Sequence, residues 1–298
     1  MQRKAPRRHP LNQSRLYAIY SRKKLAELFE LDRLSLNELL SGADLYSDRI
    51  IKIDKNGKLK ERRIREPRGK LRTIHSIVQK MLSRIEPPDF LFCPVKRRSY
   101  VGNAEQHIGA GEIGTLDIKE YFPSTPRRRV FWFFNNIMKC SPDVSSVLAE
   151  MLTVDGNLAT GSAVSPILSF FAFYDMWNDI NELVSVSSCR LTVYMDDITI
   201  SGPRVTDFLM WQVKQKIHSR DLVYHKERRY PKGKGEVTGV ILSGDKMLVP
   251  NRQHLKAFEA RAALAQTDDP TTRAKLVGRL RGLKEQRRQV EQRNPNQG

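Results

Sequence analysis

Residues 190–201 read Arg-Leu-Thr-Val-Tyr-Met-Asp-Asp-Ile-Thr-Ile-Ser. Leu191 and Val193 flank Thr192, and Ile198 and Ile200 flank Thr199, a period of two that predicts a pair of strands. The break at Met195, Asp196 and Asp197 predicts a hairpin with two adjacent carboxylates at its tip. An Asp-Asp pair at a turn is ordinary turn chemistry by itself. Its meaning depends on what surrounds it.

Upstream, Gly114-Thr115-Leu116 runs into Asp117 and then Tyr121-Phe122-Pro123, so residues 115–118 read as a short strand bearing a third carboxylate. A lone Asp in that position is commonly a cap. Mg²⁺ instead prefers a few hard oxygen ligands and keeps positions open for phosphates. Carboxylates at the ends of adjacent strands could hold two such ions, roughly 3.5–4 Å apart, for a phosphoryl transfer. On these residues alone both readings stand.

The remaining pattern is mixed. Residues 50–64 read as a hairpin turning at Asn56-Gly57. Helices are predicted over residues 23–31 and 35–40. Another follows Pro67 through Ile74, Ile77, Val78, Met81, Leu82 and Ile85, ending at Pro87-Pro88. Further helices are expected over residues 103–108, 130–138, 148–152, 165–183 and 207–219, and from Gln253 onward. Strands are expected over residues 236–242 and 246–249. No repeat and no regular βαβ alternation occurs, which favours an α+β fold.

Charge narrows the function classes. The 298 residues hold 52 Lys+Arg against 33 Asp+Glu, a net charge of +19, with 40% hydrophobic residues for a core. A polyanionic partner follows. The longest apolar stretch, residues 164–176, is too short to span a bilayer, and the basic N-terminus leads into no signal-like apolar run. No membrane role and a cytoplasmic location are expected. Cys93, Cys140 and Cys189 are far apart, so neither a zinc site nor a disulfide framework is indicated. Residues 1–24 carry eight Lys or Arg and no acid, which suits a solvated tail or an RNA-contacting arm equally.

Six ordered motifs then converge. Tyr194-Met195-Asp196-Asp197 resembles the Y-x-D-D box of reverse transcriptases, and residues 117–124 (DIKEYFPS) their first aspartate motif. Residues 159–166 (ATGSAVSP) resemble the P-T-G-x-x-x-S-P segment, and residues 62–75 (RRIREPRGKLRTIH) the fingers motif. Asn103-Ala104-Glu105-Gln106-His107 is similar to the N-A-x-x-H box of bacterial retron enzymes, and Val237-Thr238-Gly239 matches their V-T-G box. Ala159 stands where Pro is usual, Arg72 where Lys is usual and Met195 where Ala is commoner; none of these departures removes a carboxylate.

The resemblance implies a right-hand polymerase fold. It sets a basic N-terminal region over residues 1–54, fingers over 55–115, a palm over 116–247 (with 130–165 partly on the fingers side) and a helical thumb over 248–298. It implies RNA-directed DNA synthesis, with Asp117, Asp196, Asp197 and the Ile118 carbonyl holding two Mg²⁺ ions, Mn²⁺ being a substitute. Arg68, Arg72, Phe122, Thr160, Gly161 and Lys226 would serve the incoming dNTP, with Phe122 a steric gate against a ribose 2′-hydroxyl and Lys226 a proton donor to pyrophosphate. Asn103, His107, Val237, Thr238 and Gly239 would serve RNA, although a buried hydrogen-bonding pair suits Asn103 and His107 as well. The implied partners are a structured noncoding RNA that is both template and primer, its cDNA branched from a 2′-hydroxyl, and an effector protein in anti-phage defence. An intron-derived or stand-alone reverse transcriptase and a non-catalytic RNA-binding scaffold are the rival readings.

Overall fold

The computed structural model describes residues 7–31, 36, 39, 42, 45–55 and 58–294. The expected turn at Asn56-Gly57 and most of the helix expected over 35–40 lie outside the described residues. The chain forms two interleaved units: residues 1–88, 118–179 and 216–223, and residues 89–117, 180–215 and 224–298. Among the described residues no helix is long and apolar enough to cross a membrane.

The first unit combines a long hairpin with helices. Strands β1 (Tyr46–Lys55) and β2 (Lys58–Pro67) pair antiparallel from Tyr46↔Pro67 to Lys55↔Lys58. Helix Gly69–Leu82 follows and buries Leu71, Ile74, Val78 and Leu82, the 3.6-residue stripe expected of it. Helix Arg127–Trp132 continues as a π-helical turn over Phe133–Ile137, and helix Pro142–Leu152 starts at Ser141, whose side chain accepts from Val144 N. One helix was expected over residues 165–183. Two form instead, Ser165–Ala172 and Tyr174–Val186, broken at Phe173, whose ψ of 31° leaves the helical range. Fully buried Trp177, Phe133, Phe134, Phe170 and Phe173 fill this unit's core.

The basic N-terminal segment is anchored in that core at Ser14, Leu16 and Ile19. Leu16 and Ile19 are buried, Ala18 N donates to Met138 O, and Ser141 N donates to Ile19 O. The solvated-tail reading does not hold there: the apolar residues spaced among the cations carry the chain inward.

The second unit is organised by a five-stranded sheet in the order β3-β5-β6-β4-β7. Its strands are β3 (Leu91–Cys93), β4 (Glu112–Ile118), β5 (Arg190–Tyr194), β6 (Asp197–Gly202) and β7 (Tyr224–Pro231). β3 runs parallel to β5, while β5–β6 and β6–β4 are antiparallel. Thr192 and Thr199 are buried like their apolar neighbours, so the alternation that predicted these strands does not mark a wet face. A three-stranded sheet, β8 (Gly235–Val237), β9 (Val240–Ser243) and β10 (Lys246–Leu248), supplies Val237, Val240, Leu242 and Met247 to a cluster with Val101, Ala104, Ile113 and Val290. The single strand expected over 236–242 is therefore two. Thr238 and Gly239 both have positive φ (44° and 84°), the geometry of a two-residue hairpin turn. Helices Asn251–Gln266 and Pro270–Glu291 close the chain; Asp269 caps the second by accepting from Thr272 N.

Candidate active site

Two of the three aspartates, Asp117 and Asp197, lie on central strands of the second unit, and Asp196 lies in the turn before β6. Asp117 on β4 is the register partner of Asp197 on β6, and Tyr194 on β5 is the partner of Asp197 on the other side. This leaves Met195 and Asp196 as a two-residue turn, with Met195 at a φ of +63°. A non-glycine residue there is uncommon, and such conformations concentrate at functional sites.

Their charges are coupled. Burial, then the Asp196 and Asp117 carboxylates, push Asp197 up to about 6, with Lys226 and Arg228 pulling the other way. Lys226 Nζ lies 2.8 Å from Asp117 Oδ2, brought there by β7 alongside β4. His225 Nδ1 comes within 3.1 Å of Asp117 Oδ1 without the direction of a hydrogen bond, so that buried oxygen has no hydrogen-bond partner. β7 itself escaped sequence reading. Tyr-His-Lys-Glu-Arg-Arg-Tyr-Pro reads as a basic loop, yet charge is what an edge strand tolerates.

Among the described residues no group of three or more His, Cys, Asp or Glu is already gathered as a metal cage. The donor set still fits a divalent cation. It offers hard carboxylate oxygens, one of them buried without a donor, and a surplus of negative charge that leaves Asp197 reluctant to ionise. Ile118, whose carbonyl was expected to join them, closes β4 with its side chain buried.

Asn103 and His107 are buried at 1% exposure each and turn inward rather than toward an RNA surface. The helix there is Tyr100–Glu105, begun by Ser99, whose side chain accepts from Gly102 N, so His107 lies beyond it and not on a shared helical face. His107 Nδ1 is 2.6 Å from Ser201 Oγ, and Nε2 is 2.7 Å from Thr192 Oγ1. One imidazole therefore ties β6 to β5, the two strands of the carboxylate hairpin. Asn103 Nδ2 donates to Thr238 Oγ1 at 3.4 Å, and Thr238 Oγ1 donates to Tyr100 O at 2.9 Å. The N-A-x-x-H and V-T-G segments thus meet each other.

The expected nucleotide residues, Lys226 apart, belong to the first unit. Arg68 and Arg72 stand one helical turn apart, both exposed, with Arg72 N donating to Arg68 O. Phe122 is half-buried beside Tyr121, whose hydroxyl donates to Ser169 O and accepts from Trp177 Nε1. Thr160 O accepts from Arg65 N at 2.7 Å, docking the Thr160-Gly161 segment on β2. Gly161 has φ +117°, and a Cβ there would stand 2.9 Å from Arg65 O and 2.7 Å from Ile64 Cγ2. Gly161→Ala should therefore lower stability by about 1–3 kcal/mol, seen as a lower unfolding midpoint; an unchanged midpoint would show that this loop is not held on β2.

Sequence reading missed His75. Fully buried, it places Nδ1 2.6 Å from Ser162 Oγ and Nε2 2.8 Å from Met151 O, and burial pushes its pKa down to about 4. His75 ends the fingers motif and Ser162 lies in the T-G-S segment, so the signal was their joint presence.

No family model matches the chain. Curated proteins do, three retron reverse transcriptases among them. The retron Se72 reverse transcriptase of Salmonella heidelberg (strain 579083-10) is 29% identical over 185 residues, 60% of this chain and 48% of that protein. The retron Ec86 reverse transcriptase of Escherichia coli is 26% identical over 238 residues, 76% of this chain and 72% of its own length. The chain is a relative of the retron reverse transcriptases. A third, the retron Ec48 enzyme of Escherichia coli, is 25% identical over 231 residues, 69% of the chain and 56% of that protein. The chain thus spans about half the length of the first of these retron relatives and more of the others.

Proposed function

We propose that this chain is an RNA-directed DNA polymerase. The observation that carries the reading is the carboxylate arrangement: Asp117 opposite Asp197 in register, with Asp196 at the intervening hairpin tip, in a relative of retron reverse transcriptases. The five-stranded sheet is the palm of this reading, the long hairpin belongs to the fingers, and the last two helices form the thumb.

Asp117, Asp196 and Asp197, with the Ile118 carbonyl, would hold two Mg²⁺ ions, or Mn²⁺ in their place. When bound, such ions acidify the attacking hydroxyl and neutralise charge on the departing pyrophosphate. The chain's own residues do the positioning. Arg68 and Arg72 pair with triphosphate oxygens. Thr160 and Gly161 let backbone approach the nucleotide. Lys226 Nζ carries the proton assigned to the leaving pyrophosphate. Phe122 excludes a ribose 2′-hydroxyl sterically and offers it no hydrogen bond. Phe122→Ala should accordingly raise ribonucleotide incorporation relative to dNTP by about 10–100-fold, measured in matched single-nucleotide extensions. Unaltered discrimination removes the gate assignment.

The substrate RNA is a structured noncoding RNA, template and primer at once. A 2′-hydroxyl within it starts synthesis and gives a branched RNA–DNA product, in a defence role shared with an effector protein. Purified protein with its bound RNA, labelled dNTPs and Mg²⁺ should make cDNA that shifts on treatment with a debranching enzyme. A wild type no more active than Asp196→Ala would leave an RNA-binding scaffold as the surviving reading. cDNA indifferent to debranching would remove the branched-primer part alone.

A further inference from the structure

The Thr160-Gly161 backbone assigned to the incoming nucleotide is held from two sides. On one side Arg65 N donates to Thr160 O at 2.7 Å, and Gly161 lies so close to β2 that a Cβ would meet Ile64 and Arg65. On the other, Ser162 Oγ lies 2.6 Å from Nδ1 of His75, 87 residues earlier on helix Gly69–Leu82. His75 is fully buried and Ser162 is buried at 5% exposure. The polymerase reading gives this buried pair no role.

The proton positions follow from the partners. His75 Nε2 is 2.8 Å from Met151 O, and burial keeps the ring neutral. A carbonyl only accepts, so Nε2 carries the ring's proton and Nδ1 is an acceptor. Ser162 Oγ–H therefore donates to Nδ1, while the same oxygen accepts from Val164 N at 3.3 Å. Met151 lies in the last turn of helix Pro142–Leu152, where carbonyls lack helical donors. Tyr46 meets the imidazole edge-on, with ring centroids 6.1 Å apart. With both nitrogens bonded, the ring has one orientation that satisfies its partners. Ser165 Oγ donates to Ala159 O at 2.7 Å, closing residues 159–165 into one piece, so a hold on Ser162 is a hold on Thr160 and Gly161.

We infer that His75 is a positioning residue for the incoming nucleotide: through Ser162 it sets where the Thr160-Gly161 backbone stands relative to the helix that carries Arg72. The inference rests on the proposed polymerase function and its nucleotide contacts. His75 touches no substrate and acts through the backbone it holds. A misplacement of about 1 Å behind a reacting centre can cost about 10²-fold in rate, which is why a buried clamp matters there.

The test measures single-nucleotide incorporation by the full chain with its bound RNA and Mg²⁺ over a dNTP series. Turnover is normalised by active-site titration, at a temperature where each variant's unfolding curve shows it folded. Ser162→Ala cuts only the link to the ring, and His75→Leu removes both of the ring's bonds. Each should lower kcat/KM for dNTP by about 10–100-fold, nearly all of it as a higher KM. The two together should do no worse than the stronger single variant, because they break one unit. His75→Gln, whose carboxamide offers one donor and one acceptor, should keep KM within about threefold of wild type. A merely structural histidine would instead lower the unfolding midpoint and the active fraction with KM unchanged. Folded Ser162→Ala with the wild-type KM would overturn the inference, even if His75→Leu fails to fold. So would effects of the two variants that multiply, or a His75→Gln variant as impaired as His75→Leu. Those outcomes, seen beside an active wild type, remove the inference alone. A wild type that incorporates no dNTP removes the polymerase reading, and this inference with it.

Discussion

Asp117→Asn should leave the protein folded and RNA-bound while reducing dNTP incorporation by at least about 10³-fold. Loss of one preorganised electrostatic group at a reacting centre typically costs 10²–10³, and this substitution also weakens the hold on any divalent ion. The side chain keeps its shape, so the strand pairing with Asp197 is not disturbed. What changes is charge. Lys226 loses its carboxylate partner at 2.8 Å, and Asp197 loses one of the two carboxylates that oppose its ionisation. Relief of that repulsion means the stability without metal, read from thermal unfolding, should not fall by more than about 1 kcal/mol. A second readout separates metal loss from misfolding. Mg²⁺ should raise the wild-type midpoint, because an ion that binds only the folded state stabilises it, and Asp117→Asn should lose most of that response. Wild-type incorporation by the variant would take Asp117 out of the reaction. An equal Mg²⁺ response in both proteins would take it out of the ion site.

His107→Leu should cost about 3–5 kcal/mol. Each of Ser201 Oγ and Thr192 Oγ1 loses its imidazole partner in a buried setting, at roughly 1–3 kcal/mol apiece. In the neutral ring one nitrogen donates and the other accepts, so no apolar side chain can satisfy both hydroxyls. A large fall in the urea midpoint is expected, with the β5–β6 hairpin the first element to lose protection in amide exchange. The pH dependence checks the same assignment. Burial, helped by the Arg190 charge, holds His107 down to about 3, and burial holds His75 down to about 4. An unfolded histidine protonates near 6.5. Between that value and the depressed folded value the unfolded chain binds more protons. Stability is therefore full above about pH 6.5 and declines as the pH falls through the interval. His107→Leu should make that decline shallower by its own share, leaving the part due to His75. A variant with the wild-type midpoint, or with the wild-type pH slope, would show that His107 does not hold the two strands.

The candidate site was legible where its residues are local. Asp196 and Asp197 announced themselves through two runs of alternation around a turn, and Asp117 through a strand that ends beside it. Those are short-range patterns, and a single sequence records them. β7 was not legible because its residues are polar and charged; its place in the sheet comes from pairing, which local composition does not encode. The Thr238-Gly239 turn was missed because Val237 and Val240 continue an apolar run, although glycine in a left-handed conformation was the available clue.

By itself the sequence determined the α+β class, the three aspartates and a net charge that calls for a polyanion. It also determined the motif order that marks a relative of retron reverse transcriptases. Only the tertiary structure decided what the remaining motif residues touch. Asn103 and His107 looked equally suited to RNA and to the interior, and burial with paired hydroxyls placed them inside. The basic N-terminal segment looked equally suited to a tail, until Leu16 and Ile19 were found in the core and His9 bridged to Ile85. The reason is common to both. A residue's type sets which interactions it can make, but partners some 75 to 135 positions away become neighbours only once the chain has closed on itself.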